Sequence, residues 1–491
     1  MADKYQLIDQ QIFLSLLAES AVNTPYVLAS DFVGALLDSQ MPPYPDVSRT
    51  ADTMVGSGSE RAQKLRKGWM LPIQIGVGGL LNTETAARLG NRCLGGTRVP
   101  GADISGGSLV YDVITSMQSK AQGRVPLLST LGFDLGGYKF IHPSMAVSKF
   151  DIAFEGEKDV TFSANLINTG LYKINQLQAA LVAAGFSAAM AAQVAIGGAV
   201  QVETATVLGT VTGSGNATVI VTAAGMTGSP ITLNVAVLNT DSATVVAGKI
   251  RVAMQANANI AAWFTIGGAG ADIVLTAIVA AANDATMNVN IANGTCTGLT
   301  AAPTSANTTA GAAPAVIVPP TPPSHHLMHP AATKVTFSDG TTRDFAADGD
   351  LIGGACGLDN QIVVRQMPGD PFLLASNRKA GAYARDIHRG ARVPSASLKI
   401  NPGTANLGFI IAQNGTDITS LTFLFRSEDP IGATPYFYEF EWKCMLAEIE
   451  TVQSNPDGGD AAVMLNFYPK ADAITGGYFI QRIRTDLATI Q

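Results

Sequence analysis

The chain has 491 residues, of which 47% are apolar and only 14% charged, and its formal net charge is −7. Intrinsic disorder of the whole chain is excluded, because disordered chains combine low hydrophobicity with high net charge. The acidic balance argues against an open nucleic-acid-binding surface, which is usually basic, and the scarcity of charge favours a protein that hides surface by self-assembly.

Residues 1–200 are predicted to form a β-domain with few helices. Helices are expected at residues 8–17 and 173–195. The uncharged stretch 177–201 is long enough to be weighed as a membrane span, but alanine and glycine contribute little transfer energy, so a packed helix is expected. No basic segment followed by an apolar one opens the chain, so no signal peptide is expected.

The composition changes at residue 201. Between residues 201 and 311 only six of 111 residues are charged, and Ala, Thr, Val, Gly and Asn dominate. Strands are predicted at 205–211, 217–222, 231–237, 273–278 and 287–291, with one helix over 243–264 that Ser242 caps. This pattern predicts a small β-rich domain inserted into the chain. The proline-rich residues 312–330 that follow are predicted to be a stiff extended linker.

Residues 331–491 are predicted to form a second β-domain. Strands are expected at 418–425, 437–452 and 461–468, the last two joined by the Asn-Pro-Asp-Gly-Gly turn at 455–459. A Pro-Ser pair precedes an alternating segment at both Pro143 and Pro394. This likeness predicts that one β-sandwich or β-barrel fold occurs twice, once on each side of the insert.

Catalytic, cofactor-binding and metal-binding motifs are not found. Cys93, Cys296, Cys356 and Cys444 are widely spaced and are expected to be free thiols. His325, His326 and His329 lie among prolines that prevent a helix from aligning them as metal ligands. The sequence therefore predicts no enzyme, no cofactor and no metal site.

Two basic clusters fit either a nucleic-acid-binding patch or a surface that forms ion pairs between subunits. They are Arg61, Lys64, Arg66 and Lys67, and Arg378, Lys379, Arg385, Arg389 and Arg392. Apart from Tyr383, neither cluster contains aromatic residues on which bases would stack, so contacts between subunits are favoured.

Acidic residues alternate with aromatic ones along the longest predicted strands. Phe150, Ile152 and Phe154 are expected on one face, and acidic residues on the other. The acidic positions are Asp151, Glu155, Glu439, Glu441, Glu448 and Glu450. They form either a solvated sheet face or a wall that repels phosphate.

With these features in view, both flanks resemble the tail tube protein of a long-tailed bacteriophage. The resemblance rests on TMVGSGSERAQKLRKGWMLPIQIGVGG (residues 53–79), LGNRCLGG (89–96) and the closing pair YEFEWKCMLAEIETV (438–452) and AAVMLNFYP (461–469). The insert is similar to Ala/Thr/Val-rich, Ig-like modules of phage surface proteins, through residues 215–237 and 281–311.

The resemblance implies a virion protein, assembled in the host cytoplasm, whose rings stack into a hollow tube for DNA ejection. The tape measure protein and double-stranded DNA would pass the lumen without specific binding, and the six acidic residues are the lumen-facing candidates. Two folds in one chain predict three chains per ring, with six as the alternative. The insert is expected outside the tube, in weak contact with host glycans. A phage fibre or adhesin and a capsid decoration protein are the alternative functions.

Overall fold

The computed structural model shows two compact units. Unit 1 comprises residues 1–26, 30–173 and 318–491, and unit 2 comprises residues 27–29 and 174–317. The described residues are 11–26, 29–35, 38–39, 45–52, 64–103, 110–118, 124–135, 138–156, 158–278, 280–312, 316–321, 326–374, 381–401, 403, 417–432, 434–454, 462–470, 477–487 and 490.

The first flank supplies strands and one long helix to unit 1. In chain order they are β1 (Gln11–Ser15), β2 (Phe32–Ala35), β3 (Asp38–Ser39), β4 (Val47–Asp52), β5 (Lys64–Met70), β6 (Gln74–Leu80), α1 (Thr85–Leu94), β7 (Gly95–Asp103), β8 (Tyr111–Met117), β9 (Leu128–Asp134), β10 (Lys139–Glu155), β11 (Thr161–Ile167) and β12 (Lys173–Ile174). A short 3-10 helix, Ala29–Asp31, precedes β2.

Unit 2 is built from short strands and four helices. They are α2 (Gln178–Ala183), α3 (Ala188–Val194), β13 (Val202–Thr206), β14 (Leu208–Gly213), β15 (Gly215–Thr222), β16 (Ile231–Val237), α4 (Ala243–Ala256), α5 (Ala258–Ala261), β17 (Phe264–Gly267), β18 (Asp272–Ala277), β19 (Asn288–Asn293), β20 (Thr297–Thr300) and β21 (Ala306–Thr309).

In its described residues, the second flank adds strands to unit 1 and no helix. They are β22 (His329–Phe337), β23 (Thr342–Asp344), β24 (Leu351–Asp359), β25 (Ile362–Arg365), β26 (Asp386–Arg389), β27 (Val393–Ile400), β28 (Asp417–Pro430), β29 (Phe437–Cys444), β30 (Leu446–Ser454), β31 (Val463–Lys470) and β32 (Phe479–Thr485). The protein is therefore mainly β, as its sequence predicts.

Strands from both flanks are joined side by side in the same two antiparallel sheets. Sheet I has the order β6–β11–β10–β24–β27–β31, and the two flanks meet where β10 pairs with β24. Sheet II has the order β22–β28–β29–β32–β8–β7, and the flanks meet where β32 pairs with β8. Strand β30 pairs with both β31 and β28, so both sheets belong to one hydrogen-bonded network.

The inner faces of the sheets share one aromatic core. Phe150 of sheet I stacks on Trp442 of sheet II with ring centroids 4.9 Å apart, and Phe154 meets Phe425 edge-on at 5.5 Å. All four side chains are at most 6% exposed. The expected separate β-domains at 1–200 and 331–491 are therefore not observed, because strands that share backbone hydrogen bonds and a core cannot fold as two independent units.

The likeness between the flanks does not extend to their strand pairing. Pro143 lies inside β10, at a bulge where the register with β9 shifts and Ser144 has a positive φ of 55°. Pro394 lies instead near the start of β27. Strand β10 forms a hairpin with β11, whereas β27 pairs with β24 and β31. The described pairings thus give no support to a duplicated fold.

Unit 2 has its own hydrophobic core and closely spaced ends. Its core surrounds Val219, Ile250 and Ile273, none of which is exposed. At the ends of the unit, the Asn175 side chain donates to the Ile317 carbonyl at 2.7 Å, and the Ile317 backbone N–H donates to the Asn175 side chain at 2.8 Å. The unit thus begins near residue 174, and its expected 201–311 boundaries were too narrow.

Several local expectations need correction. Residues 11–15, within the expected helix 8–17, form strand β1. The expected helix 173–195 is two short helices with Gly185 between them at a positive φ of 94°. Helix α4 ends at Ala256, and the Asn257 side chain caps α5. The Ser242 side chain makes no capping hydrogen bond. Among the helices in the described part of the chain, none is long and apolar enough to cross a membrane.

The proline-rich linker ends earlier than predicted, because regular structure begins inside the range 312–330. Met328 is fully buried, and β22 begins at His329, inside the expected linker 312–330. The strand predicted over 437–452 is divided at Met445 into β29 and β30, and β30 and β31 form the hairpin, with Ser454 opposite Val463. Its predicted turn at 455–459 lies outside the described residues.

Candidate functional site

The outer face of sheet I carries many short, uncharged side chains, interrupted by charged residues on β10, β27 and β31 and by Met464 and Tyr468. Alternation places them opposite the buried core positions, and the strand registers align them in rows such as Ser163–Asp151–Gly357–Ser395. We call this surface the neutral face. It comprises Gly76, Gly78, Thr161, Ser163, Asn165, Ala153, Ala355, Gly357, Ser395, Ser397 and Asn466.

The neutral face is broad. With strands spaced about 4.8 Å apart, six strands cover roughly 24 Å. An open trough of about 400 Å³ crosses β11, β10, β24 and β27, where small residues lie beside Glu155, Lys399 and Met464. Such a surface has few side chains that would bind a molecule moving across it.

Three acidic candidates lie on this same face, each beside a lysine. Asp151 pairs with Lys149 at 2.7 Å, and Glu155 is 3.5 Å from Lys399. Glu448, opposite Tyr468 in the β30–β31 register, is 2.6 Å from the Lys470 ammonium. Asp151 and Glu155 each have a lysine partner, whereas Glu448 shares Lys470 with Asp417, so the negative charge at these positions is partly compensated.

The outer face of sheet II has the opposite character, since it carries a network of ion pairs. Arg426 and Arg484 contact Glu439 at 2.9 and 3.3 Å. Arg482 reaches Glu441 at 3.4 Å and Asp112 at 2.7 Å, and Arg484 reaches Asp112 at 3.1 Å. We call this surface the ion-pair face.

The same network changes the acidity of its members. Burial alone would raise the pKa of Asp112, but hydrogen bonds from Arg484 and Arg482 outweigh it and lower the pKa. Glu439 was expected to face solvent, yet it is only 8% exposed beneath its two arginines. The network satisfies these charges within unit 1.

The six acidic candidates therefore cannot all line one surface. Asp151 points away from its neighbour Phe150, and Glu441 points away from Trp442, while Phe150 and Trp442 stack between the sheets. Asp151, Glu155 and Glu448 lie on the neutral face, whereas Glu439 and Glu441 lie on the ion-pair face. The register between β30 and β31 shifts at Glu450, and the orientation of its side chain lies outside the described structure.

Arg389 and Arg392 of the second basic cluster fold inward, whereas the Arg385 side chain is largely exposed. Arg389 is 6% exposed and donates to the Gln118 side chain, while Arg392 donates to the Leu94 carbonyl at 2.9 Å. Arg385 pairs with buried Asp370 at 2.9 Å. These three arginines stabilise unit 1 itself, so neither the nucleic-acid interpretation nor the subunit-contact interpretation applies to Arg389 and Arg392. Arg378 and Lys379 lie outside the described residues, as does Arg61.

Histidines and cysteines occupy structural positions. His326 stacks on Tyr438 with centroids 3.5 Å apart, and His329 lies 3.4 Å from Asp159. The four cysteines are free and buried. Burial raises the pKa of Cys93 to about 12, which keeps this thiol protonated. Within the described residues, which exclude His325, no three His, Cys, Asp or Glu side chains are grouped to hold a metal ion.

Sequence reasoning missed both the neutral face and helix α1. The signal for the neutral face was present in β24, GGACGLD within residues 353–359, where glycine or alanine occupies positions 353, 355 and 357 on the side opposite Cys356 and Leu358. The signal for α1 was Asn82, whose side chain accepts hydrogen bonds from the backbone of Glu84, Thr85 and Ala86 at 2.7–3.2 Å. All ten residues of α1 are buried.

Comparisons with known proteins do not identify the chain. No protein-family model matches it, and no curated protein is significantly similar to it in sequence.

Proposed function

We propose that this protein is a structural virion protein whose copies assemble into stacked rings, forming the tail tube of a long-tailed bacteriophage. The neutral face is the observation that carries the proposal. A tube that conducts DNA needs a wide wall built from strands, and sheet I presents one over six strands.

The chemistry of the neutral face suits the passage of a polyanion. Proteins grip DNA by releasing counterions from phosphates that lysine and arginine contact. On this face Lys149, Lys399 and Lys470 are paired with carboxylates. Charges beyond about 8 Å are largely screened at physiological salt. DNA and the tape measure protein would therefore move along the wall without specific binding.

The ion-pair face suits a different place in the assembly. Its guanidinium and carboxylate groups are held by each other, so the face is rigid and nearly neutral overall. We place the neutral face towards the lumen and the ion-pair face away from it. This assignment removes Glu439 and Glu441 from the lumen and keeps Asp151, Glu155 and Glu448 there.

Assembly and location follow from the same proposal. The tube would be built in the host cytoplasm and act in the virion, without enzymatic turnover. Unit 2 would face the outside of the tube, in contact with the host surface. Rings of three chains follow if each chain fills two positions, and rings of six follow if unit 1 fills one.

Electron microscopy of the concentrated, purified protein tests the proposal. We expect hollow tubes or stacked rings with a lumen wide enough for double-stranded DNA. The rotational symmetry of the averaged rings gives the number of chains. Solitary fibres or shells would favour the phage-fibre or capsid-decoration alternative, and a strict monomer by light scattering, together with its absence from purified virions, would refute the tube.

A further inference from the structure

A cavity in unit 2 opens beside an unusually exposed tryptophan. Residues 201–311 contain two aromatic residues, Trp263 and Phe264, which are adjacent in the sequence. Phe264 is 3% exposed and packs in the core, whereas Trp263 is 39% exposed. Burying a large apolar side chain stabilises a fold, and Trp263 gives up part of this stabilisation. An exposed indole at a cavity is typical of binding sites.

The backbone and the ring of Trp263 are both held in place. It lies between α5 and β17, where its N–H donates to the Ile260 carbonyl at 3.0 Å and its carbonyl accepts from Ile278 at 2.9 Å. The outer edge of the indole rests on Gly225, since its Cη2 atom is 3.1 Å from where a Cβ of that residue would lie. The ring is thus prepositioned at the cavity.

The cavity is lined mainly by apolar side chains, together with the polar side chains of Gln201 and Asp284. It measures about 510 Å³, within the usual range of small-molecule sites. Its lining consists of six alanines together with the larger side chains Trp263, Phe264, Met287, Gln201 and Asp284, the alanines being Ala223, Ala224, Ala262, Ala277, Ala281 and Ala282. Flat methyl surfaces beside an indole fit a ligand with an apolar face.

The carboxylate of Asp284 is partly, but not fully, occupied by the protein. Its Oδ1 accepts from the backbone and hydroxyl of Thr286 at 2.8 and 2.6 Å, and its Oδ2 accepts from the Ala224 N–H at 2.7 Å. A carboxylate has about four lone-pair sites, so one is left for a ligand donor. A single ligand hydroxyl can donate to this remaining acceptor position of Asp284. An ammonium ion would instead need carboxylates whose negative charge the protein does not already stabilise.

We propose that this cavity binds a neutral pyranose sugar, with the C–H face of the ring on the Trp263 indole and one hydroxyl donating to Asp284. The C–H bonds of a pyranose face are weakly positive and complement the negative face of the indole. A hydrogen bond from a hydroxyl to a carboxylate is charge-assisted and therefore strong. This inference rests on unit 2 alone and does not depend on tube formation.

Glycan binding by the full-length protein tests the inference. The probe is an array of neutral oligosaccharides of glucose, galactose, mannose and N-acetylglucosamine, followed by calorimetric titration of those retained. We expect at least one to bind, with Trp263→Ala weakening binding at least tenfold and Asp284→Asn about threefold to tenfold. Ala282→Leu narrows the cavity from an exposed position and should also abolish binding, with an unchanged melting temperature.

The control is Val252→Ala, which removes another exposed apolar side chain of unit 2 that does not line the cavity. We expect it to bind like the unaltered protein. Three results would overturn the inference: no retained sugar, binding that neither Trp263→Ala nor Ala282→Leu alters, or tetramethylammonium binding with the same dependence on Trp263. The last result would indicate a cation site.

Discussion

At the scale of single residues, unit 1 contains a buried carboxyl group, that of Glu19, whose pKa is strongly raised. Glu19 is 9% exposed and accepts hydrogen bonds from Thr130 at 2.6 Å and from the backbone and hydroxyl of Ser144, both at 2.8 Å. Burial raises its pKa to about 7, although these hydrogen bonds and the charge of Arg92 oppose the rise. Desolvation prevails because the charged form loses its water.

Glu19 therefore makes the stability of unit 1 depend on pH. Between its ordinary pKa of 4.5 and about 7 the folded state binds the extra proton, so the free energy of unfolding falls as pH rises through this window, by about 3 kcal/mol in all. Glu19→Gln keeps a neutral acceptor and should remove this slope. Urea unfolding between pH 5 and 8 measures it, followed by tryptophan fluorescence in a Trp263→Phe background, which leaves only the tryptophans of unit 1, Trp69 and Trp442.

The comparison with Glu19→Gln isolates this carboxyl group from other titrating groups. His142 is fully buried, and desolvation lowers its pKa to about 3, so it also contributes a pH dependence. That contribution is present in both proteins and cancels in their difference. Parallel stability curves for the two proteins would show that Glu19 is already ionised in the folded state.

At the scale of secondary-structure elements, the outward positions of each strand decide what a sheet offers to a partner. Along β11 these positions are Thr161, Ser163 and Asn165, and along β28 they include Thr422 and Arg426. Both strands bury a full row of apolar residues on their other side. The two sheets thus share a core chemistry but differ in their outer faces.

Adding one lysine to each face distinguishes which face lines the lumen. Ser163→Lys adds a positive charge to the neutral face, opposite Asp151, and Thr422→Lys adds the same charge to the ion-pair face. Because every ring repeats the change, tubes of Ser163→Lys should retain double-stranded DNA at low salt, whereas Thr422→Lys tubes should not. Filter retention of labelled DNA by assembled tubes is the measurement, and retention by Thr422→Lys alone would reverse the assignment of the faces.

At the scale of the whole molecule, unit 2 is inserted at a point where its ends lie side by side. The reciprocal hydrogen bonds between Asn175 and Ile317 hold these ends together. Domains with closely spaced ends are tolerated as insertions, because the host fold closes without a long loop. Unit 1 should therefore assemble without its insert.

Deleting residues 176–316 and joining the ends with a short Gly/Ser linker tests this expectation. Tubes of unchanged inner diameter should form, and electron microscopy measures them. The matched control keeps unit 2 and carries the same linker at both junctions. A shortened chain that is folded by circular dichroism but remains monomeric would show that unit 2 takes part in ring contacts.

Local patterns in the sequence determined much of this protein. Alternation along Phe150–Phe154 and Tyr438–Trp442 predicted which side chains are buried, because a strand places successive side chains on opposite faces. The change of composition at residue 201 predicted the separate β-rich unit, and β16 matches its expected range of 231–237.

Only the tertiary structure decided which strands are neighbours and which faces coincide. Strand β10 pairs with β24, about 200 residues away in the chain, and this pairing merges two expected domains into one. It also places Asp151 and Glu441 on opposite outer faces, although their local patterns are alike. Alternation specifies a side of a strand, whereas the face of the molecule depends on long-range pairing, which no short stretch of sequence encodes.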